Sequence, residues 1–212
     1  RLEPYFNFGG RKFFNHMNNK GFINIVLIVA IVAIIAVGGY FIVNKKSATN
    51  NQPSFNSTAN SVGIQDEARE KYADAQKKYQ NDLYELSVSK WPDLKPIIEI
   101  NRDLQVALVD SRSMKFYYLL EHNPSKIVRN QGVSTFANFD WTDADNKILR
   151  DTNPAFATLD DRIKELRASN DGHPIWPEFR DRFKSLSNDK EYLNITNSLN
   201  QTITEVEQLL RK

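Results

Sequence analysis

The 212-residue chain contains no cysteine and has only three histidines, eight glycines and eight prolines. Without cysteine it has neither a disulfide framework nor a thiolate-ligated metal site. The low glycine and proline content excludes a collagen-like chain. The 13 Phe, 8 Tyr and 3 Trp residues are too many for a wholly disordered one. This composition is typical of a protein with a packed hydrophobic core.

Basic residues are concentrated near the N-terminus. Residues 1–46 contain six Lys/Arg and one Asp/Glu, whereas residues 47–212 contain 22 and 25, so the net charges are +5 and −3. The larger part is therefore mildly acidic, with both signs mixed along the chain. Because nucleic-acid-binding proteins typically carry a clustered basic face, we expect no nucleic-acid partner.

The longest apolar run covers residues 22–43. Its 22 residues include no charged side chain, Lys20 precedes it, and two lysines follow shortly after it. A helix of this length spans about 33 Å, which matches a hydrocarbon core of about 30 Å. A single segment that crosses lipid must satisfy its own backbone hydrogen bonds, and only a helix does so. The run predicts one transmembrane helix with the lipid bilayer as its partner.

The flanks of this run predict its orientation. Cytoplasmic flanks carry an excess of Lys and Arg, which favours an N-terminus inside the cell and a C-terminal domain outside. Residues 44–63 are predicted to form a flexible linker, because this stretch is rich in Ser, Thr and Asn and carries no charge after Lys46. We therefore predict a single-pass protein of the cell membrane. A cleaved secretory signal is the alternative, but its apolar region is normally only about 7–15 residues long.

The N-terminal segment carries a family resemblance. Lys20-Gly21-Phe22 followed by an apolar helix resembles the leader of type IV prepilins and of related secretion pseudopilins. The resemblance implies cleavage between Gly21 and Phe22 and assembly into a pilus-like polymer. Val26 stands where family members usually carry Glu, and their head domain is usually a β-sheet. The order of anchor, linker and domain is also similar to that of singly anchored bacterial proteins.

The start of translation is expected at Met17, which opens the sequence MNNKGF directly before the apolar run. A short cytoplasmic tail is the alternative interpretation of residues 1–16. In either case, residues 1–21 are predicted to form a short N-terminal tail or leader. Residues 64–212 carry no family resemblance.

Residues 64–212 are long enough for one globular domain with its own core, and their apolar residues recur at helical spacing. A first stripe predicts a long helix that ends at Trp91-Pro92, because the residue before proline resists the helical conformation. A second helix is predicted over residues 93–122, with a β-hairpin over residues 104–120 as the alternative. The first stripe consists of Ile64, Ala68, Tyr72, Ala75, Tyr79, Leu83 and Leu86.

The remaining sequence predicts a loop over residues 125–141 and then further helices. Thr142, Asn153 and Asp189 are each placed to cap a helix that follows them. Since these helices are apolar on one side only, their apolar sides must pack together. The predicted fold class is all-α, with one N-terminal transmembrane helix followed by an antiparallel helical-bundle domain.

Few polar residues have a spacing that points to chemistry. His16, His122 and His173 are not at the i, i+4 spacing that metal binding on a helix requires. His122 is predicted to satisfy carbonyl groups at the end of a helix, and His173 to lie in a turn. No phosphate-binding loop, dinucleotide-binding motif or serine-nucleophile motif occurs in the sequence.

The acidic cluster Asp140, Asp143 and Asp145 lacks the oxygen ligands and the central glycine of a calcium loop. Helix capping explains it better. A set of aromatic residues is able to line a small-molecule pocket, but core packing is the expected role. These aromatic residues are Phe136, Phe139, Trp141, Phe156 and Trp176.

We therefore expect no catalytic residue, no cofactor and no metal site. The predicted function is a non-enzymatic binding or structural role in the cell envelope, with an envelope protein as the potential partner. A pilin-like assembly subunit is the first alternative. An envelope hydrolase is the second, and it would require Asp140, Asp143, His122 and His173 to converge in a cleft.

Overall fold

The computed structural model describes residues 59–127 and 132–211, with side chains from Gln65 onward. The predicted leader, the predicted transmembrane helix over residues 22–43 and most of the predicted linker lie outside these ranges. Within them the named elements are α- and 3-10 helices, and the one β-type contact is an isolated bridge between Ile127 and Phe139. The all-α part of the predicted fold class is therefore confirmed. None of the described helices is both long enough and apolar enough to span a bilayer.

Six α-helices follow one another in the described part of the chain. They are α1 (Ala59–Lys90), α2 (Lys95–His122), α3 (Asp143–Thr152), α4 (Pro154–Asp171), α5 (Trp176–Lys184) and α6 (Lys190–Leu210). Short 3-10 segments at Pro92–Leu94, Pro124–Lys126, Gly132–Phe136 and Ser185–Asn188 join some of them.

The first helix ends where the sequence predicts. Its last residue is Lys90, and the Trp91 N–H donates to the Ser87 carbonyl at 2.8 Å before Pro92 turns the chain. The helix begins at Ala59, however, which lies inside the segment predicted as linker. An uncharged Ser/Asn-rich stretch has weak helix propensity, but it does not prevent a helix from extending through it.

The second helix is continuous from Lys95 to His122, so the helix predicted there is confirmed and the alternative hairpin over residues 104–120 is wrong. Leu104 and Ala107 pack in one apolar cluster against α4. Residues three apart lie on the same face of a helix, whereas in a strand they point to opposite faces. Packing against α4 therefore requires the helical conformation here.

The long helices pack in antiparallel pairs. Lys71 on α1 contacts Glu205 on α6 at 2.7 Å, and Lys90 at the end of α1 contacts Asp189, the residue before α6, at 2.8 Å, so the two helices run in opposite directions. Contacts between α1 and α2 have the same opposed order, with Arg69 on Ser113 and Lys77 on Asp110. The described domain is therefore built around α1, which packs on both α2 and α6.

The predicted caps form at the start of three helices. The Thr142 hydroxyl accepts from the Asp145 N–H at 3.2 Å, and the Asn153 side chain accepts from the Phe156 N–H at 3.0 Å. The Asp189 carboxylate accepts from the first backbone N–H groups of α6. Each cap satisfies donors that have no partner within the helix, which fixes where the helix begins.

The aromatic residues divide between the core and its edge. Phe136 is 2% exposed and Phe156 is fully buried, whereas Phe139, Trp141 and Trp176 are half-buried. The expected role in core packing is therefore confirmed for Phe136 and Phe156. The other three cover the core from the side.

Gly132 begins the segment Gly132–Phe136 with a φ of 56°, and a Cβ built there would lie 2.9 Å from Glu207 Oε1. We expect Gly132→Ala to lower the free energy of unfolding by about 1–2 kcal/mol, because a side chain is strained at positive φ. Urea denaturation measures the change. The matched control is Gly132→Ala combined with Glu207→Ala and compared with Glu207→Ala alone, because this comparison excludes the steric contact and the ion pair of Glu207 with Arg211 and leaves the backbone strain. An unchanged unfolding free energy in the single variant would contradict the positive φ.

Candidate functional site

Arg69 on α1 is the most unusual side chain of the described bundle. It is 1% exposed, which is rare for arginine. Its Nη2 donates to Ser113 Oγ at 2.7 Å, and its Cζ lies 5.5 Å from the centre of the Phe136 ring. Its Nε and Nη1 have no hydrogen-bond partner among the described residues. Burial lowers the pKa of Arg69 from its usual value, since the charged guanidinium has lost its water.

Ser113 is held in place to accept this hydrogen bond. Its hydroxyl donates to the Val109 carbonyl one turn earlier on α2, at 3.1 Å. The hydroxyl proton is therefore used by the backbone, and an oxygen lone pair points to Arg69. This local bond on α2 explains how a small side chain is oriented towards the buried guanidinium.

A second arginine adds to the positive charge at Arg69. Arg112, the residue before Ser113, acts to lower the pKa of Arg69 by like-charge repulsion. The carboxylate that favours the charged form of Arg69 is Asp110, but Asp110 also binds Lys77 Nζ at 2.8 Å. The positive charge of Arg69 is therefore poorly compensated by the described residues.

Lys115 is a further cation on α2, and its side chain lies against aromatic rings. Its Nζ lies 5.2 Å from the centre of the Trp141 ring and 5.8 Å from that of Phe156. Burial lowers the pKa of Lys115, and Arg112 lowers it further, while the Asp160 carboxylate opposes the shift. We name these residues the cation–aromatic cluster: Arg69, Arg112, Lys115, Phe136, Trp141 and Phe156.

Sequence reasoning did not single out Arg69. Its neighbours Ala68 and Tyr72 belong to the predicted stripe, and an arginine beside such a stripe normally extends its charged end into water. Arg69 contacts Phe136, which is distant in sequence and whose ring also packs 5.8 Å from Tyr72. No local pattern in one sequence reports that contact.

The two described histidines make local contacts. His122 Nδ1 lies 3.0 Å from the Tyr118 carbonyl, and its ring stacks on Tyr118 with centroids 4.6 Å apart. The Ile175 N–H donates to His173 Nδ1 at 3.4 Å. The helix-end role predicted for His122 and the turn role predicted for His173 are therefore confirmed, and His16 lies outside the described residues.

The acidic cluster divides into one buried carboxylate and two exposed ones. Asp145 is 8% exposed and accepts from Lys126 Nζ at 2.6 Å and from the Thr142 N–H at 2.9 Å. Asp140 and Asp143 are exposed. In the part of the chain that the structure describes, no group of three potential metal ligands forms. The capping role predicted for this cluster is confirmed at Asp145.

The residues named for the hydrolase alternative make no hydrogen bonds to one another in the described ranges. The hydrogen bonds of the His122 and His173 rings are made to backbone groups of their own segments. The backbone N–H of Asp140 donates to the Lys126 carbonyl at 2.9 Å. These contacts do not support a catalytic group built from them.

Comparison of the chain with known protein families, with curated proteins and with solved structures finds no match. The resemblance of the N-terminal segment to prepilin leaders therefore stays a prediction. Among the described residues, Arg69 stands out as a buried charge whose Nε and Nη1 have no hydrogen-bond partner.

Asp145 provides a test of the helix start through pH. The hydrogen bonds from Lys126 and Thr142 lower the pKa of Asp145 from 3.8 to about 2. A carboxyl group with a lowered pKa stabilises the fold above its unfolded pKa, and this stability is lost as the pH falls through the folded value. We expect Asp145→Asn to cost about 1–2 kcal/mol of unfolding free energy at neutral pH, and this difference should shrink between about pH 4 and pH 2.

Urea denaturation across this pH range measures the difference. Asp143→Asn is the matched control, because Asp143 is an exposed carboxylate in the same helical turn. A difference between the native chain and Asp145→Asn that stays constant with pH would show that the charge of Asp145, held by Lys126 and Thr142, does not stabilise the fold.

Proposed function

We propose that this protein is anchored in the cell membrane by residues 22–43 and carries a helical domain outside the cytoplasm that acts by binding, without catalysis. The uncharged run of 22 residues carries the anchoring part of the proposal. Lys20 on one side and the lysines after residue 43 on the other are placed to interact with the two headgroup layers. Their distribution favours the outward orientation.

The cation–aromatic cluster supports a binding role for the domain. A buried cation without a carboxylate partner costs free energy, and apolar residues of similar volume are often as stable or more stable in its place. Arg69 is such a cation, since Ser113 is its hydrogen-bond acceptor among the described residues. Residues that break the rules of stable packing are typical of functional sites. A purely structural envelope role gives no reason for this arginine.

A pilin-like assembly subunit is the second candidate, and Lys20-Gly21-Phe22 is the observation that favours it. The all-helical domain differs from the β-sheet head usual in that family. An envelope hydrolase is the weakest candidate, because the hydrogen bonds of the His122 and His173 rings are those of a helix end and a turn. Binding by an anchored domain is therefore the function we favour.

The topology can be tested on the full-length protein in cells stripped of their outer barrier. We expect added protease to cleave the helical domain without permeabilisation, because the domain lies outside the membrane. Immunoblotting with an antibody against the domain measures its loss. Protection of the domain until the cells are permeabilised would contradict the outward orientation.

A matched variant tests the anchor itself. Ile31→Arg combined with Ile34→Arg places two charges near the centre of the run, each of which costs about 2.5–3.5 kcal/mol on insertion. We expect the native protein to stay in the membrane fraction after alkaline extraction and the variant to move into the soluble fraction. A native protein that is soluble without detergent would exclude the anchor.

Mass spectrometry of the N-terminus separates the two leading candidates. If the protein is an uncleaved anchor, the N-terminal peptide continues through Gly21 without a break. A mature chain that begins at Phe22 with a methylated amine would instead support the pilin-like subunit. The measurement depends neither on the orientation nor on the ligand.

A further inference from the structure

We infer that Arg69, with Arg112 beside it, forms a binding site for the oxyanion group, a carboxylate or a phosphate, of a small ligand. This inference names the ligand class of the proposed binding role and to that extent rests on it.

The unmet donors of Arg69 define the chemistry of the ligand. A guanidinium has five N–H donors in one plane, and Nε and Nη1 together carry three of them. These three have no acceptor among the described residues, although the side chain is only 1% exposed. Buried donors in native proteins are almost always paired. Carboxylate and phosphate groups provide several acceptor oxygens that match the planar fork of arginine.

The charge around Arg69 also favours a bound anion. Arg112 repels Arg69, and the nearby Asp110 is already bound to Lys77 at 2.8 Å. An anion between the two arginines would replace this repulsion by attraction to both. In the low dielectric of a buried site such a gain is larger than at the surface.

Two tyrosines, Tyr72 and Tyr117, interact electrostatically with Arg69. Burial raises the pKa of Tyr72 and that of Tyr117, so both hydroxyl groups keep their protons at neutral pH. The carboxylates of Asp66 and Glu70 act on Tyr117 and raise its pKa further. Because the Phe136 ring covers the guanidinium and Arg69 is only 1% exposed, the site presents no open surface to an extended polyanion or a membrane, and we therefore assign it to a small ligand.

Access requires local opening of the segment Gly132–Phe136. The Phe136 ring lies over the guanidinium, with 5.5 Å between its centre and the Cζ of Arg69. Short segments at the surface open more readily than the helices they cover. Arg69→Met removes the site and leaves an apolar side chain of similar length in the same place.

The experiment measures the melting temperature of the full-length protein in detergent with inorganic phosphate, with acetate or with chloride, at equal ionic strength. We expect phosphate or acetate to raise the melting temperature by about 3–5 °C at a tenfold excess over its Kd. Arg69→Met should remove this rise. Arg162→Met, which changes an arginine whose side chain is 54% exposed, should keep it. A larger rise with phosphate assigns a phosphate ligand, and a larger rise with acetate assigns a carboxylate.

The result that overturns the inference is equal melting in the three salts, or a rise that Arg69→Met retains. Should Arg69→Met not fold, Arg112→Gln takes its place as a half-buried second variant. We expect Arg112→Gln to raise the phosphate or acetate concentration at half-saturation about tenfold. The protease and extraction experiments are independent of this one, so loss of the anion site and loss of the anchored topology are distinguishable.

Discussion

The described domain depends on burial of one face of α1. Tyr79, Leu83 and Leu86 on this helix are each 4–6% exposed, and the helix packs on both α2 and α6. An isolated helix is only marginally stable in water, and most helical stability in a protein comes from packing of its apolar face. The two antiparallel partners of α1 are therefore what holds it, and they bring the C-terminal half of α2 beside Arg69.

Ion pairs lie around this core, but they contribute little to its stability. Lys71 with Glu205 and Lys77 with Asp110 join α1 to its neighbours, but their side chains are 34–43% exposed. Exposed pairs contribute about 0–1 kcal/mol each, because water and salt screen them. They fix the register between the helices more than they add stability. The buried contacts of Arg69 differ in kind, since water does not compensate for its unmet donors.

Local features of the fold could be predicted from the sequence, whereas features that depend on distant contacts could not. The caps at Thr142, Asn153 and Asp189 involve residues only two or three positions apart, so the sequence contains the whole interaction. The start of α1 within the predicted linker was missed, because the lack of charge says little about helix formation. The candidate site was missed as well. Its defining contact joins Arg69 on α1 to Phe136, which follows α2 in the chain, and one sequence carries no signal for a contact between residues so far apart.

A structural and a binding role for Arg69 make opposite demands on its surroundings. A structural arginine in a core needs an acceptor for each donor, and a carboxylate to balance its charge. A binding arginine needs donors that are free until the ligand arrives, held by a scaffold that already carries the cost of burying them. Ser113 engages Nη2 alone, Arg112 adds repulsion, and Asp110 is shared with Lys77. The surroundings of Arg69 therefore support the proposed binding role more than a structural one.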